Sequence, residues 1–162
     1  MQANRMDSTP LIPIYQEMGA AVQDSQRLEL YISLIVTLLI DLGQESLSDQ
    51  EFHGWMENLS SQTLGRLIEE IKKKVGFTDD AVQTLRQALK ARNFLMHRFY
   101  HARADRLLSA HGRSEALREI GEKREAINAA CAMLDPVLHD LVLHQGIDLE
   151  QFRNDVEGRF EI

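Results

Sequence analysis

Apolar residues recur at spacings of three and four along most of the chain, and no run of alternating β-branched residues competes with that pattern. The pattern predicts a long first helix over residues 14–42. Its first half carries Ile14, Met18 and Val22, and its second half, "LELYISLIVTLLIDL", is apolar nearly all round. A helix without a polar face must be covered on every side, so this one is either central in a bundle or part of a dimer face. Gly43 is a natural stop. The connector "QESLSDQEFHGWMENLSSQ" carries a short helical turn around residues 52–56.

A second helix is predicted over 63–75, with Leu64, Leu67, Ile68 and Ile71 on one stripe and three lysines before Gly76, where the helix dipole favours cations. Thr78 is a suitable N-cap for a third helix, with Asp79 and Asp80 in its first turn, running to about Tyr100. "LSAHGR" is the next break. The fourth helix covers 114–143 and is kinked or split at Pro136, with Gly146 as its stop. "DLEQFRNDVEGRF" adds a short terminal helix. The expected architecture is all-α: a four-helix bundle with a short extra C-terminal helix, one domain over 14–162 behind a polar lead-in of residues 1–13.

Composition narrows this picture. The chain of 162 residues is one domain's length and carries only 9 Gly and 3 Pro. The single cysteine, Cys131, lies in the helix-core stretch "INAACAML" and fits a reducing compartment. The N-terminus lacks a signal-peptide layout, and the apolar stretch 28–42 contains Glu29 and is too short to span a bilayer, so a cytoplasmic protein with no membrane partner is expected. The net charge of −7 argues against non-specific nucleic-acid binding. Yet residues 86–124 hold ten Lys/Arg against four Asp/Glu, a net of +6, so the remainder carries −13. That basic middle is either a solvated helix surface or a local site for a polyanion.

On the third helix Val82, Leu85, Leu89, Met96 and Phe99 form one seam, and the position completing it is Arg92. An unpaired buried charge is costly, so Arg92 is expected either to be paired or to face a wet cleft. Asn93 and Tyr100 sit at the rim of the seam, while His97 lies about 140° round the helix from Arg92. For the two to act together the helix must be irregular, the arginine must reach round, or a second copy of the chain must complete the site.

The stretch "RNFLMH" resembles the Arg-x4–6-His motif of the HEPN (higher eukaryotes and prokaryotes nucleotide-binding) superfamily, in which a polar residue commonly follows the arginine, as Asn93 does here. The first helix and "TLGRLIEEIKKK" are similar to other HEPN elements in the same order, so the likeness covers residues 14–143, although only the short motif is specific. The spacing occurs a second time, from Arg106 to His111, without the polar residue and running into Gly112.

The resemblance implies a bundle of HEPN type, a homodimer, and a metal-independent endoribonuclease, toxin- or defence-related, that needs no cofactor. Cleavage would proceed by 2′-hydroxyl attack, with His97 handling protons, Arg92 stabilising phosphate charge and Asn93 orienting RNA or the histidine. Arg98, Tyr100 and Arg103 would help hold the RNA, and an antitoxin or inhibitor protein is an implied partner. A toxin subgroup carries a modifiable tyrosine two places after the histidine; here Phe99 stands there and the tyrosine is Tyr100.

Two alternatives stay open. One is a non-catalytic HEPN-like module that binds nucleotide or RNA, or serves in oligomerisation. The other is a metal site on the stripe Asn93, His97, His101 and Asp105, which recur one helical turn apart.

Overall fold

A computed structural model describes residues 9–41, 64–146, 148 and 150. The connector 42–63 with its expected turn lies outside them, and so does the expected terminal helix but for residues 148 and 150. The described elements are all helical. After a single 3-10 turn, Thr9–Leu11, come α1 (Ile12–Asp41), α2 (Leu64–Val75), α3 (Asp79–His97), the short α4 (Phe99–Arg103), a second 3-10 turn (Arg106–Leu108) and α5 (Ala110–His144).

The helix ends follow local chemistry, with three departures from the expected limits. α1 begins at Ile12, with Pro13 in its first turn, where a missing N–H costs nothing. The expected third helix stops at His97: Arg98 leaves helical geometry (φ −126°, ψ −22°), and α4 restarts at Phe99. α5 begins at Ala110, because Ser109 caps it by accepting from the Gly112 N–H at 3.0 Å. The "HGR" segment is therefore the first turn of a helix and not a break. Only glycine fits there, since a Cβ on Gly112 would lie 2.1 Å from the Arg106 carbonyl oxygen.

α5 stays continuous across Pro136. Both Pro136 and Ala132 lie on its exposed side, where water can satisfy the carbonyl that proline leaves without a donor. The expected caps are present elsewhere. Thr78 accepts from the Ala81 N–H at 3.3 Å, and Gly76 and Gly146 take the left-handed backbone (φ 62° and 68°) that ends a helix.

α5 organises the packing. α1 lies along it in parallel, as the pairs Asp24–Arg124, Arg27–Asn128 and Tyr31–Asp135 show. α3 and α4 return antiparallel on it, with Phe94 against Lys123 and Arg103 against Glu119. α2 rests on α1 and α3. The greasy half of α1 is enclosed within one chain: Leu34, Ile35, Val36, Thr37 and Leu38 are all buried. Among the described residues α5 alone is long and apolar enough, by length and composition, to cross a bilayer. Its stripe of Ile120, Ile127, Ala130, Leu134 and Val142 is fully buried in the common core. Cys131 lies in the same core, and burial pushes its thiol up from its ordinary value.

The buried line of α3 differs from the expected seam. It runs through Val82, Leu85, Ala88, Ala91 and Leu95, continues in Phe99 of α4, and leaves Leu89 and Met96 partly covered. Arg92 therefore stands on the flank of the seam and not at its centre.

Arginine–carboxylate ties to α5 and from it help join the helices. Arg124 of α5 donates to Asp24 (2.8 Å) and Glu17 (2.6 Å) of α1. Arg103 of α4 grips Glu119 of α5 through two bonds of 2.6 and 2.7 Å. The hydrogen bonds from Arg103 hold the Glu119 carboxyl below its ordinary value, against the opposing effect of burial.

Two outcomes are expected. Gly112→Ala should destabilise the fold by roughly 1–3 kcal/mol through the clash with a backbone carbonyl, read as a lowered urea midpoint. Because the folded-state pKa of Glu119 is depressed, its contribution is whole above the ordinary glutamate value of about 4.3 and disappears as pH falls through the lowered folded value. The stability gap between wild type and Glu119→Gln, measured by urea unfolding, should therefore be constant near neutrality and shrink in acid. A gap that does not change with pH contradicts this.

Candidate functional site

The last two turns of α3 carry Arg92, Asn93 and His97, and α1 supplies Glu29 opposite them. Arg92 leaves the flank of the seam with 23% of its side chain exposed, beside a Glu29 side chain that is 40% exposed. Both inner donors of the guanidinium go to one carboxylate oxygen: Nε to Glu29 Oε1 at 2.9 Å and Nη2 to the same atom at 2.6 Å. The outer nitrogen, Nη1, donates to Asn93 Oδ1 at 3.0 Å and lies 3.1 Å from His97 Nε2. A planar fork with a carboxylate on one edge and an amide and an imidazole on the other is thereby fixed in orientation.

The angular separation of Arg92 and His97 is overcome within one chain. The long arginine reaches round the helix, and α3 ends at His97, with the Arg98 N–H donating to the Phe94 carbonyl at 2.9 Å. Asn93 and His97 are both exposed, so three side chains from one helix converge on a point that solvent reaches.

The other expected contact residues are placed differently. Arg98 is exposed at the α3–α4 break. Tyr100 is about half exposed; its ring meets that of buried Phe99 edge-on at 5.3 Å, and partial burial, with a smaller effect from Tyr15, raises its phenol above the ordinary value. Arg103 is committed to Glu119 and to the Ala102 carbonyl, and its guanidinium lies 5.3 Å from the centre of the Phe94 ring. Lys123 approaches the same ring at 5.7 Å. Arg103 thus ties α4 to α5 and is not joined to the Arg92 cluster.

The second Arg-x4-His does not assemble. Arg106 lies in a 3-10 turn, while highly exposed His111 faces Glu115 at 3.6 Å. The stripe Asn93, His97, His101 and Asp105 is interrupted at Arg98, and among the described residues no three His, Cys, Asp or Glu side chains group as metal ligands.

The basic segment is also less basic in space than in sequence. Arg86, Arg92 and Arg124 meet acids outside the segment, Glu69, Glu29, and Asp24 with Glu17, while Arg103 and Arg118 meet Glu119 and Glu122 within it. Arg98, Lys90 and Arg106 remain exposed.

Glu29 is the residue that motif reading misses. Its signal is present in the sequence: a carboxylate inside the otherwise apolar "LELYISLIV" requires a partner. Compared with protein-family models, with curated proteins and with solved structures, the chain gives no significant match, and its site is read from its own geometry.

Proposed function

We propose that the Arg92–Asn93–His97 cluster is the site of a metal-independent endoribonuclease, and that the chain is a bundle of HEPN type. The observation carrying this reading is the convergence of Asn93 Oδ1 and His97 Nε2 on Arg92 Nη1, at 3.0 and 3.1 Å, on an exposed face. Imidazole handles protons near neutrality, guanidinium matches phosphate, and the amide orients.

In this reading His97 takes the proton of an RNA 2′-hydroxyl as its oxygen attacks the adjacent phosphorus. A 2′,3′-cyclic phosphate forms, and the departing 5′-oxygen takes a proton. A guanidinium has five N–H donors. Two go to Glu29 and two to Asn93 and His97. One donor on Nη2 is left for a phosphate oxygen, and a second comes free when His97 swings from Nη1 towards the 2′-hydroxyl. Substrate binding thus releases the base and strengthens the anion site in one movement.

A homodimer belongs to this reading, because a second His97 could protonate the leaving group. The exposed residues Ile12, Tyr15 and Val22 lie on one side of α1 and form an apolar stripe suited to a second copy or to an inhibitor protein. Arg98 lies exposed beside His97 for RNA, whereas Arg103 would contribute only by leaving Glu119. Toxin- or defence-related cleavage in the cytoplasm fits this chemistry. A second reading, a non-catalytic HEPN-like nucleotide- or RNA-binding or oligomerisation module, is favoured by Glu29, whose carboxylate balances the Arg92 charge.

Purified protein is expected to cleave single-stranded RNA in the presence of a chelator, leaving cyclic-phosphate ends. His97→Ala and Arg92→Ala should each lower the rate by about 100-fold or more while circular dichroism and oligomeric mass stay unchanged. RNA that is bound but left intact by the wild-type protein would select the binding module, and full activity in either variant would end the proposal.

A further inference from the structure

The contact between Arg92 and His97 has a definite direction. Guanidinium carries donors and no acceptor. The 3.1 Å approach of Arg92 Nη1 to His97 Nε2 is therefore a hydrogen bond only if Nε2 accepts. Neutral imidazole then carries its proton on Nδ1, the less common arrangement for a histidine in water, and the hydrogen bond made by one ring nitrogen decides where the proton sits.

Nη1 is held in that position from the far side of the guanidinium. Glu29 Oε1 accepts from both Nε and Nη2, at 2.9 and 2.6 Å, which fixes the rotation of the planar group about its stem. Asn93 takes the other hydrogen of Nη1 at 3.0 Å and aims the remaining one at His97. Glu29 is 40% exposed, and an ion pair so open to water contributes little to stability. Its geometric consequence is larger than its energetic one.

We infer that Glu29 is a positioning residue: holding the inner edge of Arg92, it turns Nη1 onto Nε2 and sets His97 as the Nδ1–H tautomer. The bare Nε2 is then the nitrogen that takes the 2′-hydroxyl proton. That catalytic meaning rests on the nuclease reading; the tautomer itself does not.

The test is long-range proton–nitrogen NMR of the ¹⁵N-labelled full chain, recorded at about pH 8, above the ordinary imidazole range, with His97 assigned from His97→Gln. Wild-type His97 should show a protonated Nδ1 and a bare Nε2. Glu29→Ala and Arg92→Lys should return it to the solvent mixture dominated by Nε2–H. Glu29→Gln, whose amide oxygen can still accept from both donors, should keep the wild-type pattern. In cleavage assays Glu29→Ala should lose roughly 10- to 100-fold in kcat with little change in KM, and Glu29→Gln should recover most of it.

A wild-type His97 that carries its proton on Nε2 overturns the inference whether or not any variant folds. So does an unchanged tautomer in folded Glu29→Ala, or a Glu29→Gln indistinguishable from Glu29→Ala, which would assign the effect to charge alone. Wild-type protein with the expected tautomer but no cleavage would sink the nuclease reading and leave the positioning role of Glu29 standing.

Discussion

The contact of a part-covered arginine on the inner flank of α3 with an acid of α1 sets the geometry of the site. α1 and α3 pack far more on α5 than on each other. Arg92 and Glu29 form a salt bridge between them. Because Glu29 takes only the inner edge of the guanidinium, the outer edge stays directed at solvent, where Asn93 and His97 find it. The same pair that makes a partly covered cation tolerable thus gives the cluster its orientation.

That logic extends to the charge of the molecule. Residues 86–124 read as a basic block on an acidic chain. In space most of its arginines are consumed by carboxylates, several of them on α1 and α2, so the segment contributes helix ties more than a broad positive surface. Phe94, one residue from the cluster, is covered by Arg103 and Lys123, whose charges are partly spent on the ring. A polyanion approaching this face meets a small number of aimed donors, not a general electrostatic field.

Much of the fold was legible because its signals are local. Thr78 as a cap, Gly76 and Gly146 as stops, and the buried stripe of α2 each follow from a few neighbouring residues. The seam of α3 was misplaced because its centre is made of Ala88 and Ala91, which carry little hydropathic weight, yet a small side chain lets helices approach closely. The early start of α5 was hidden because Gly112 reads as a breaker, whereas here it is demanded by the Arg106 carbonyl against it. Spacing along one helix singles out Arg92, Asn93 and His97, whose side chains meet in the structure. Glu29 is 63 residues away in sequence from Arg92, and no periodicity connects them.

α1 offers an internal comparison between two arginine forks that it anchors. Five residues before Glu29, Asp24 is only 9% exposed and takes Nε of Arg124, while Glu17 takes Nη1 of the same guanidinium. Carboxylates stand at two nitrogens of that fork, so an anion arriving there meets negative charge already in place. Arg92 has one carboxylate and, on its other side, an amide and an imidazole. An amide and an imidazole on an exposed edge exchange for water or a phosphate oxygen without an ion pair being broken. Both forks are anchored by acids of α1, and they differ in that the Arg92 fork carries an amide and an imidazole on the edge where the Arg124 fork carries a second carboxylate.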